Sequence, residues 1–420
     1  MNNAKTDMLT VLKNRDFLTL WLSQLISKIG DNFAVVAALV LINELAARTG
    51  LAVVALGMAV TIPQLFAMAS GVFVDRFSRK GVMIASDILR ALAILLALLV
   101  TNAGHLYLLY LAAFLVMAFG AVYIPARNAS IPNMVPEEHL LTANALIQAT
   151  ELVSLIAGAS LATLVIGLTS VATAFIVDSL TFLASALFLL ATQIPQGPPI
   201  PAATASRNEL RRFWEGFAEG MRYIAGHKHL LQLMAITTVA TLGLSATVLL
   251  AAAYFKQLLG MSAQYLGLLQ ATEGVGMALG AVLISTYASW ARSRQIVSVT
   301  MIILGIGILA LAFSPRYWLV LLGALIVGLC VVSARTTLAA MTQALVPDSQ
   351  RGRVESAMVT VIGIGTMGAL IISGLLGDIV GPESVFIFTG LVVLAAGIAS
   401  IYTLRGAEER LLNNGTNGSE

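Results

Sequence analysis

The sequence predicts an all-α membrane protein with twelve transmembrane helices in two halves of six and with both termini in the cytoplasm. Of its 420 residues, 58% are hydrophobic and only 11% are charged, whereas about a quarter of the residues in a soluble domain are charged. Long aliphatic runs recur along the whole chain. Each has the ~20 residues that a helix needs to cross the hydrocarbon core of a bilayer.

Twelve aliphatic runs qualify as membrane spans. The first is too long and too charged for a cleavable signal peptide, so we expect the chain to keep it. The runs cover residues 17–46, 51–74, 82–101, 106–126, 142–166, 171–192, 230–254, 264–288, 296–313, 317–338, 354–377 and 384–404.

The distribution of Lys and Arg sets the expected orientation. With the N-terminus inside, nineteen of the 24 basic residues fall in cytoplasmic segments, and only Arg48, Lys256 and Arg316 fall outside. Basic loops are retained in the cytoplasm. The bias therefore predicts cytoplasmic termini and an even number of spans.

The longest polar interruption divides the chain. We expect an N-terminal six-helix half over residues 1–192 and a C-terminal six-helix half over residues 230–405. A cytoplasmic linker over residues 193–229 joins them, and a disordered cytoplasmic tail covers residues 406–420. The linker begins with the Pro-rich stretch "QIPQGPPIPAATASRN", which favours an extended chain.

The rest of the linker predicts an amphipathic helix. Phe213, Phe217, Met221 and Ile224 recur at helical spacing and share one face. Such a helix lies either on the cytoplasmic surface of the membrane or against the helical bundle, and both placements fit the same topology.

The two halves resemble each other in sequence. After the fourth span of each half, Ala-Arg is followed by Val-Pro and an acidic residue, with Arg127 matching Arg335 and Pro136 matching Pro347. Parallel six-helix repeats place the substrate path on the axis between the halves.

The loop after the second span, "GVFVDRFSRKGVM", resembles the loop signature of the major facilitator superfamily, Gly-x-x-x-Asp-Arg-x-x-Arg-Arg/Lys. The matching residues are Gly71, Asp75, Arg76, Arg79 and Lys80. A small residue lets two helices approach closely, and a carboxylate caps a neighbouring helix or pairs with an arginine. The resemblance implies a cytoplasmic gate that stabilises the outward-facing state; a basic loop that only sets the topology is the alternative.

Three arginines near the cytoplasmic side belong to the same expected gate. We predict that Arg127 and Arg335 pair with Asp75 or with the carbonyl ends of helices, and that Arg90 reaches Asp87 or Asp75.

Several further stretches resemble the bacterial branch of the superfamily that contains macrolide efflux proteins and the enterobactin exporter. They are "IGDN", "DRFSRK", "YIPARNASIPNMVP", "FIVDSLTFLASA" and "EGFAEGMRYI". The resemblance implies a multi-pass protein of the bacterial cytoplasmic membrane that exports its substrate.

Two charges interrupt the apolar first span. Lys28 and Asp31 are three residues apart, so their side chains can pair on one helix face. Unpaired charges in a span are costly, so we expect both to face a central cavity. Asp31 is the first candidate for a carboxylate that binds and releases a proton; a permanent Asp31–Lys28 bridge that only fixes helix rotation is the alternative.

Three more acidic residues are expected to be buried within spans, as Asp31 is. Glu151 and Glu273 lie halfway along the fifth and eighth spans, where either could bind a cationic substrate group or carry a proton. Asp178, in the sixth span, is expected to be more structural, bonding to a neighbouring hydroxyl group or capping a helix.

These features predict a secondary transporter, not an enzyme, that exports a hydrophobic or amphipathic small molecule driven by proton influx. No phosphate-binding Walker motif is present. We expect no cofactor, no metal site and no nucleic-acid partner, with membrane lipid around a monomer. A lysophospholipid flippase and a non-transporting receptor or scaffold on the same fold are the alternatives.

Overall fold

A computed structural model describes residues 10–46, 49–65, 77–194, 209–257, 265–287, 293–313 and 316–409. The regular secondary structure of these ranges is entirely helical, and none of them contains a strand. The prediction of an all-α chain is therefore confirmed for the described residues.

Six long helices occupy the ranges before residue 195. They are α1 (Arg15–Leu45), α2 (Thr49–Leu65), α3 (Arg79–Ile94), α4 (Leu106–Ser130), α5 (Leu140–Leu168) and α6 (Val171–Ala191).

Seven further helices follow the linker. They are α7 (Glu209–Gly226), α8 (Lys228–Gln257), α9 (Leu266–Tyr287), α10 (Ser293–Ala312), α11 (Tyr317–Leu345), α12 (Asp348–Val380) and α13 (Pro382–Thr403).

Ten helical segments of the described chain are long and apolar enough to cross a membrane, and a shorter apolar helix covers Gly50–Gln64. The helices do not all end where the expected spans end. The third span changes from α-helix to a 3₁₀ helix over Leu95–Leu99, and α11 continues to Leu345, seven residues past its predicted end. A helix can continue beyond the hydrocarbon layer because its hydrogen bonds are internal, so hydropathy alone does not mark its end.

Local capping signals fix several helix starts. The side chain of Asn14 accepts hydrogen bonds from the backbone N–H groups of Asp16 and Phe17 at the start of α1. Ser78 caps α3 and Ser170 caps α6 in the same way. Such caps satisfy N–H groups that have no acceptor within the helix.

The chain forms two compact units. Unit 1 contains Met1–Ala47, Ala55–Glu209 and Ser262–Ala271, and unit 2 contains Arg48–Val54, Leu210–Met261 and Thr272–Glu420. Each unit has its own set of packed helices, described in turn below.

The same packing scheme occurs inside each unit. In unit 1, α1 packs against α5 and α6, and α3 packs against α4 and α6. In unit 2, α8 packs against α12 and α13, and α10 packs against α11 and α13. Helices at equivalent positions therefore have equivalent neighbours, as expected for a duplicated six-helix unit.

The amphipathic helix α7 packs against α12 within unit 2. The Glu219 carboxylate lies 2.7 Å from the Arg353 guanidinium, Gly220 abuts the Arg353 backbone, and Ile224 is fully buried. Of the two placements considered for this helix, the structure shows packing against the bundle.

Candidate functional site

A cluster of charged side chains lies inside unit 1, on three apolar helices. On α1, the Lys28 ammonium is 3.5 Å from the Asp31 carboxylate. The predicted pairing of these two residues, one helical turn apart, is confirmed.

Arg90 on α3 connects this pair to a second carboxylate. Its Nη2 lies 2.8 Å from Oδ1 of Asp31, and its Nη1 lies 3.5 Å from Oδ1 of Asp87. The Arg90 side chain is 6% exposed. Asp87 is the predicted partner, whereas the pairing with Asp31 was not predicted, and Asp75 lies outside the described residues.

Asp87 is held from two sides. Its side chain is completely buried, and the Ser185 hydroxyl of α6 donates a 2.6 Å hydrogen bond to Oδ2. A buried carboxylate needs such donors because it has lost its water. From the sequence, Asp87 was identified only as a partner for Arg90; the three-residue spacing of the two is the signal that it belongs to the cluster.

An aromatic ring supports the guanidinium. The Cζ atom of Arg90 lies 4.0 Å from the centroid of the Phe182 ring on α6. Attraction between the cation and the ring face is stronger when both are shielded from water. Arg90 thus contacts α1 and α6 while remaining anchored in α3.

Glu151 extends the cluster on its more exposed side. Its Oε1 lies 3.7 Å from Nζ of Lys28, and 49% of its side chain is exposed. Acidic and basic groups therefore alternate through unit 1, in the order Asp87, Arg90, Asp31, Lys28 and Glu151.

Asp178 on α6 is buried beside this chain of charges. The hydroxyl of Thr181 lies 3.5 Å from its Oδ1, which agrees with the expectation of a neighbouring hydroxyl partner. A Cβ atom added at Gly30 would come within 2.6 Å of the same oxygen and would overlap the Thr181 hydroxyl. The absence of a side chain at Gly30 therefore lets α1 approach α6 here.

Glu273 belongs to unit 2. It lies on α9, where its carbonyl group faces Gly328 of α11 so closely that a Cβ atom could not fit. Its side chain is half-buried. Tight packing of α9 on α11 therefore fixes the backbone at this residue, as small residues do between membrane helices.

The expected cytoplasmic gate is described in part. Three of its residues, Gly71, Asp75 and Arg76, lie outside the described residues. Arg79 donates a 2.7 Å hydrogen bond to the carbonyl of Ala129, in the last turn of α4. Cations are favourable at such C-terminal ends because the helix dipole is negative there.

Lys80 has the same role at the end of α6. Its ammonium donates hydrogen bonds of 2.8 Å to the carbonyls of Leu190 and Thr192. Arg127 donates a 2.8 Å hydrogen bond to the side-chain oxygen of Asn128. Its expected partner Asp75 lies outside the described residues, so the pairing of these two residues stays a prediction.

Arg335 lines a cavity of about 450 Å³ within unit 2, at the C-terminal half of α11. The wall also contains Glu355 and the apolar side chains of Leu338, Met358 and Ile362. The cavity therefore offers mainly apolar surface together with charges of both signs.

Comparisons with known proteins give consistent matches over the whole chain. A family model described as transmembrane secretion effector matches residues 6–414. The chain is 23% identical over 395 residues to macrolide efflux protein A of Streptococcus pyogenes, covering 91% of this chain and 94% of that protein. It is 26% identical over 396 residues to the multidrug efflux pump Tap of Mycobacterium tuberculosis, covering 92% of each.

Two solved structures share the fold. One is a bacterial homologue of the iron transporter ferroportin in the inward-facing state, with a TM-score of 0.72, 18% identity and coverage of 94% of this chain and 98% of that chain. The other is the nucleoside transporter NupG, with a TM-score of 0.72, 14% identity and coverage of 93% and 99%.

Proposed function

This chain belongs to the transmembrane secretion effector family of the major facilitator superfamily, and on that premise we propose that it is a proton-coupled exporter of hydrophobic or amphipathic small molecules. It is a multi-pass protein of the bacterial cytoplasmic membrane. Proton influx would drive the export through alternating access of one substrate path to the two sides of the membrane.

The observation that carries the proposal is the alternating chain of charges inside unit 1. Arg90 and Asp87 are almost completely shielded from solvent, on a helix that is long and apolar enough to cross a membrane. Well-packed apolar residues often stabilise a protein as well as a buried ion pair does. Ionisable groups inside a membrane bundle are therefore expected to serve ion movement or substrate binding.

The substrate class rests on two further observations. Relatives similar along their whole length are named for macrolide efflux and multidrug efflux. The cavity of unit 2 exposes more apolar than polar surface, and its charged groups are Arg335, Arg351 and Glu355. Binding sites for small organic molecules combine apolar walls with a few polar groups in this way.

We propose the following topology for this function. Twelve spans form the two halves 1–192 and 230–405, with both termini in the cytoplasm, and the protein acts as a monomer. The bonds of Arg79 and Lys80 to helix ends support a cytoplasmic gate, for which Gly71, Asp75 and Arg76 remain proposed residues.

Uphill transport in membrane vesicles tests the function. Inside-out vesicles from an efflux-deficient bacterium, with and without the protein, would receive an acid-inside pH gradient together with ethidium or radiolabelled erythromycin. We expect uptake that depends on the protein and collapses with a protonophore. Asp31→Asn should abolish it, whereas Glu138→Gln, which neutralises a carboxylate with 80% exposure, should not.

Either of two results would contradict the proposal. Uptake that persists unchanged after the protonophore would argue against proton coupling. If neither probe is accumulated while a fluorescent lysophospholipid crosses the bilayer without a gradient, the lipid-flipping alternative is favoured instead.

A further inference from the structure

Asp178 differs from the other carboxylates of the cluster in its surroundings. Its side chain is completely buried, and Oδ2 has no hydrogen-bond partner among the described residues. Oδ1 faces only the Thr181 hydroxyl at 3.5 Å, and that hydroxyl already donates to the Asp178 carbonyl at 2.7 Å. In the described parts of the chain, no Lys, Arg or His nitrogen lies within 4.0 Å of it.

The other buried carboxylates have strong partners. Asp31 lies 2.8 Å from the guanidinium of Arg90 and 3.5 Å from the ammonium of Lys28. Asp87 receives the Ser185 hydroxyl at 2.6 Å and faces Arg90 as well. Direct cationic partners favour the ionised form of a carboxylate, and Asp178 has no such partner within 4.0 Å among the described residues.

An ionised carboxylate without a cation or a good donor is very costly in an apolar interior, whereas a neutral carboxylic acid costs far less. On the premise of the transport function proposed above, we propose that Asp178 is the carboxyl group that carries the coupling proton, while Asp31 stays ionised against Arg90. The conformation described here then holds Asp178 as the neutral acid.

Arg90 provides the link between this proton and the rest of the cluster. Its Nε is also buried without an acceptor in the described chain. The interior of unit 1 therefore contains both a hydrogen-bond donor without an acceptor, Nε of Arg90, and an acceptor without a donor, Oδ2 of Asp178. The guanidinium lies on the flat ring of Phe182, and Gly120 lies beside Nε. In the proposed step, the guanidinium turns over this ring towards Asp178.

The proton step follows from these contacts. A proton from the outside solution binds Asp178 and forms an O–H bond, which leaves Arg90 with Asp31 and Asp87. When this proton is released to the cytoplasm, the new negative charge attracts Arg90 and weakens its contact with Asp31. Among the described residues, Asp31 from α1 and Arg90 from α3 are the charged groups that act on Asp178, so both respond to its protonation.

Infrared difference spectroscopy of the purified, reconstituted protein tests the protonation state directly. At neutral pH we expect the C=O stretching band of a protonated carboxyl group, sensitive to H/D exchange and to ¹³C-aspartate labelling. The band should be lost in Asp178→Asn and retained in Glu138→Gln, which neutralises an exposed carboxylate outside the cluster. A band that survives in Asp178→Asn, or that is absent from the wild type, would overturn the proposal whether or not a transported substrate is known.

Transport by the same variants gives a second, independent test. Asn resembles a protonated Asp in shape and charge, so Asp178→Asn should fold with unchanged thermal stability, exchange ethidium across the membrane without a gradient, and lose uphill accumulation. Asp178→Glu should restore accumulation in part. Wild-type accumulation by Asp178→Asn would overturn the role of Asp178. If the wild type itself accumulates nothing, the proposed function fails and the spectroscopic result still decides the protonation.

Discussion

The guanidinium of Arg90 in α3 lies 2.8 Å from the carboxylate of Asp31 in α1, a contact between residues 59 positions apart in the chain. The same guanidinium covers the ring of Phe182 in α6. One side chain thus ties three helices of unit 1 together. A change in the contacts of Arg90 would alter the packing of all three helices, as expected for a group that responds to protonation of a neighbouring residue.

Replacing Arg90 by Lys should impair both stability and transport. An ammonium is a point charge and cannot bridge Asp31 and Asp87 at once or stack flat on Phe182, whereas the planar guanidinium does both. Arg90→Gln should be worse, because loss of one partner of a buried ion pair destabilises by about 3–5 kcal/mol.

Thermal unfolding in detergent, followed by fluorescence-detected size exclusion, would measure these losses. Combining Arg90→Gln with Asp31→Asn should destabilise less than the sum of the two single changes, because the residues are in contact. Strict additivity would contradict a direct interaction between them.

Gly30→Ala should destabilise unit 1. The new methyl group would overlap the Thr181 hydroxyl and approach Oδ1 of Asp178 to 2.6 Å, and overpacking of this kind costs about 1–3 kcal/mol. Gly368→Ala in α12 is the matched control, because nothing lies within 4 Å of its Cβ position. There the better helix propensity of Ala should leave the melting temperature unchanged or raise it. Equal effects at the two positions would contradict the close α1–α6 approach.

Ser185→Ala should lower stability by removing the donor to Asp87. A buried acceptor left without its partner costs about 1–3 kcal/mol, and the bond from Ser185 is short at 2.6 Å. Ser384→Ala removes a hydroxyl that donates to a backbone carbonyl on an exposed surface and should change the melting temperature little. The two variants, compared in the same detergent, distinguish a specific effect on Asp87 from general loss of a serine.

Asp378→Ala should loosen the start of α2. Within unit 2, the two oxygens of Asp378 accept hydrogen bonds from the backbone N–H groups of Gly50 and Leu51, at 3.0 and 2.9 Å. Loss of a capping side chain costs about 0.5–2 kcal/mol, and the negative charge adds to it because helix N-termini are positive. Hydrogen exchange of the Gly50 and Leu51 amides should accelerate in Asp378→Ala, and less so in Asp378→Asn. Unchanged hydrogen-exchange rates of these two amides would show that the Asp378 side chain does not stabilise the first turn of α2.

The sequence by itself determined the features that depend on neighbouring residues. Within the described residues, each predicted aliphatic run overlaps a helix, because the length of an apolar run and the internal hydrogen bonds of a helix are local properties. The Lys28–Asp31 pair was predicted for the same reason, since side chains three residues apart always lie on one side of a helix. The amphipathic helix α7 likewise follows from its own periodicity.

Only the tertiary structure decided which helix faces meet. The partner of Arg90 on another helix, the hydroxyl that Ser185 supplies to Asp87, and the Asn128 contact of Arg127 were not predicted. The rotation of each helix about its axis is set by packing against its neighbours, through close approaches such as that of Gly30 to α6. Hydropathy places charges within an apolar span, but packing assigns Arg90 to Asp31 and, among the described residues, leaves Asp178 without a cation within 4.0 Å.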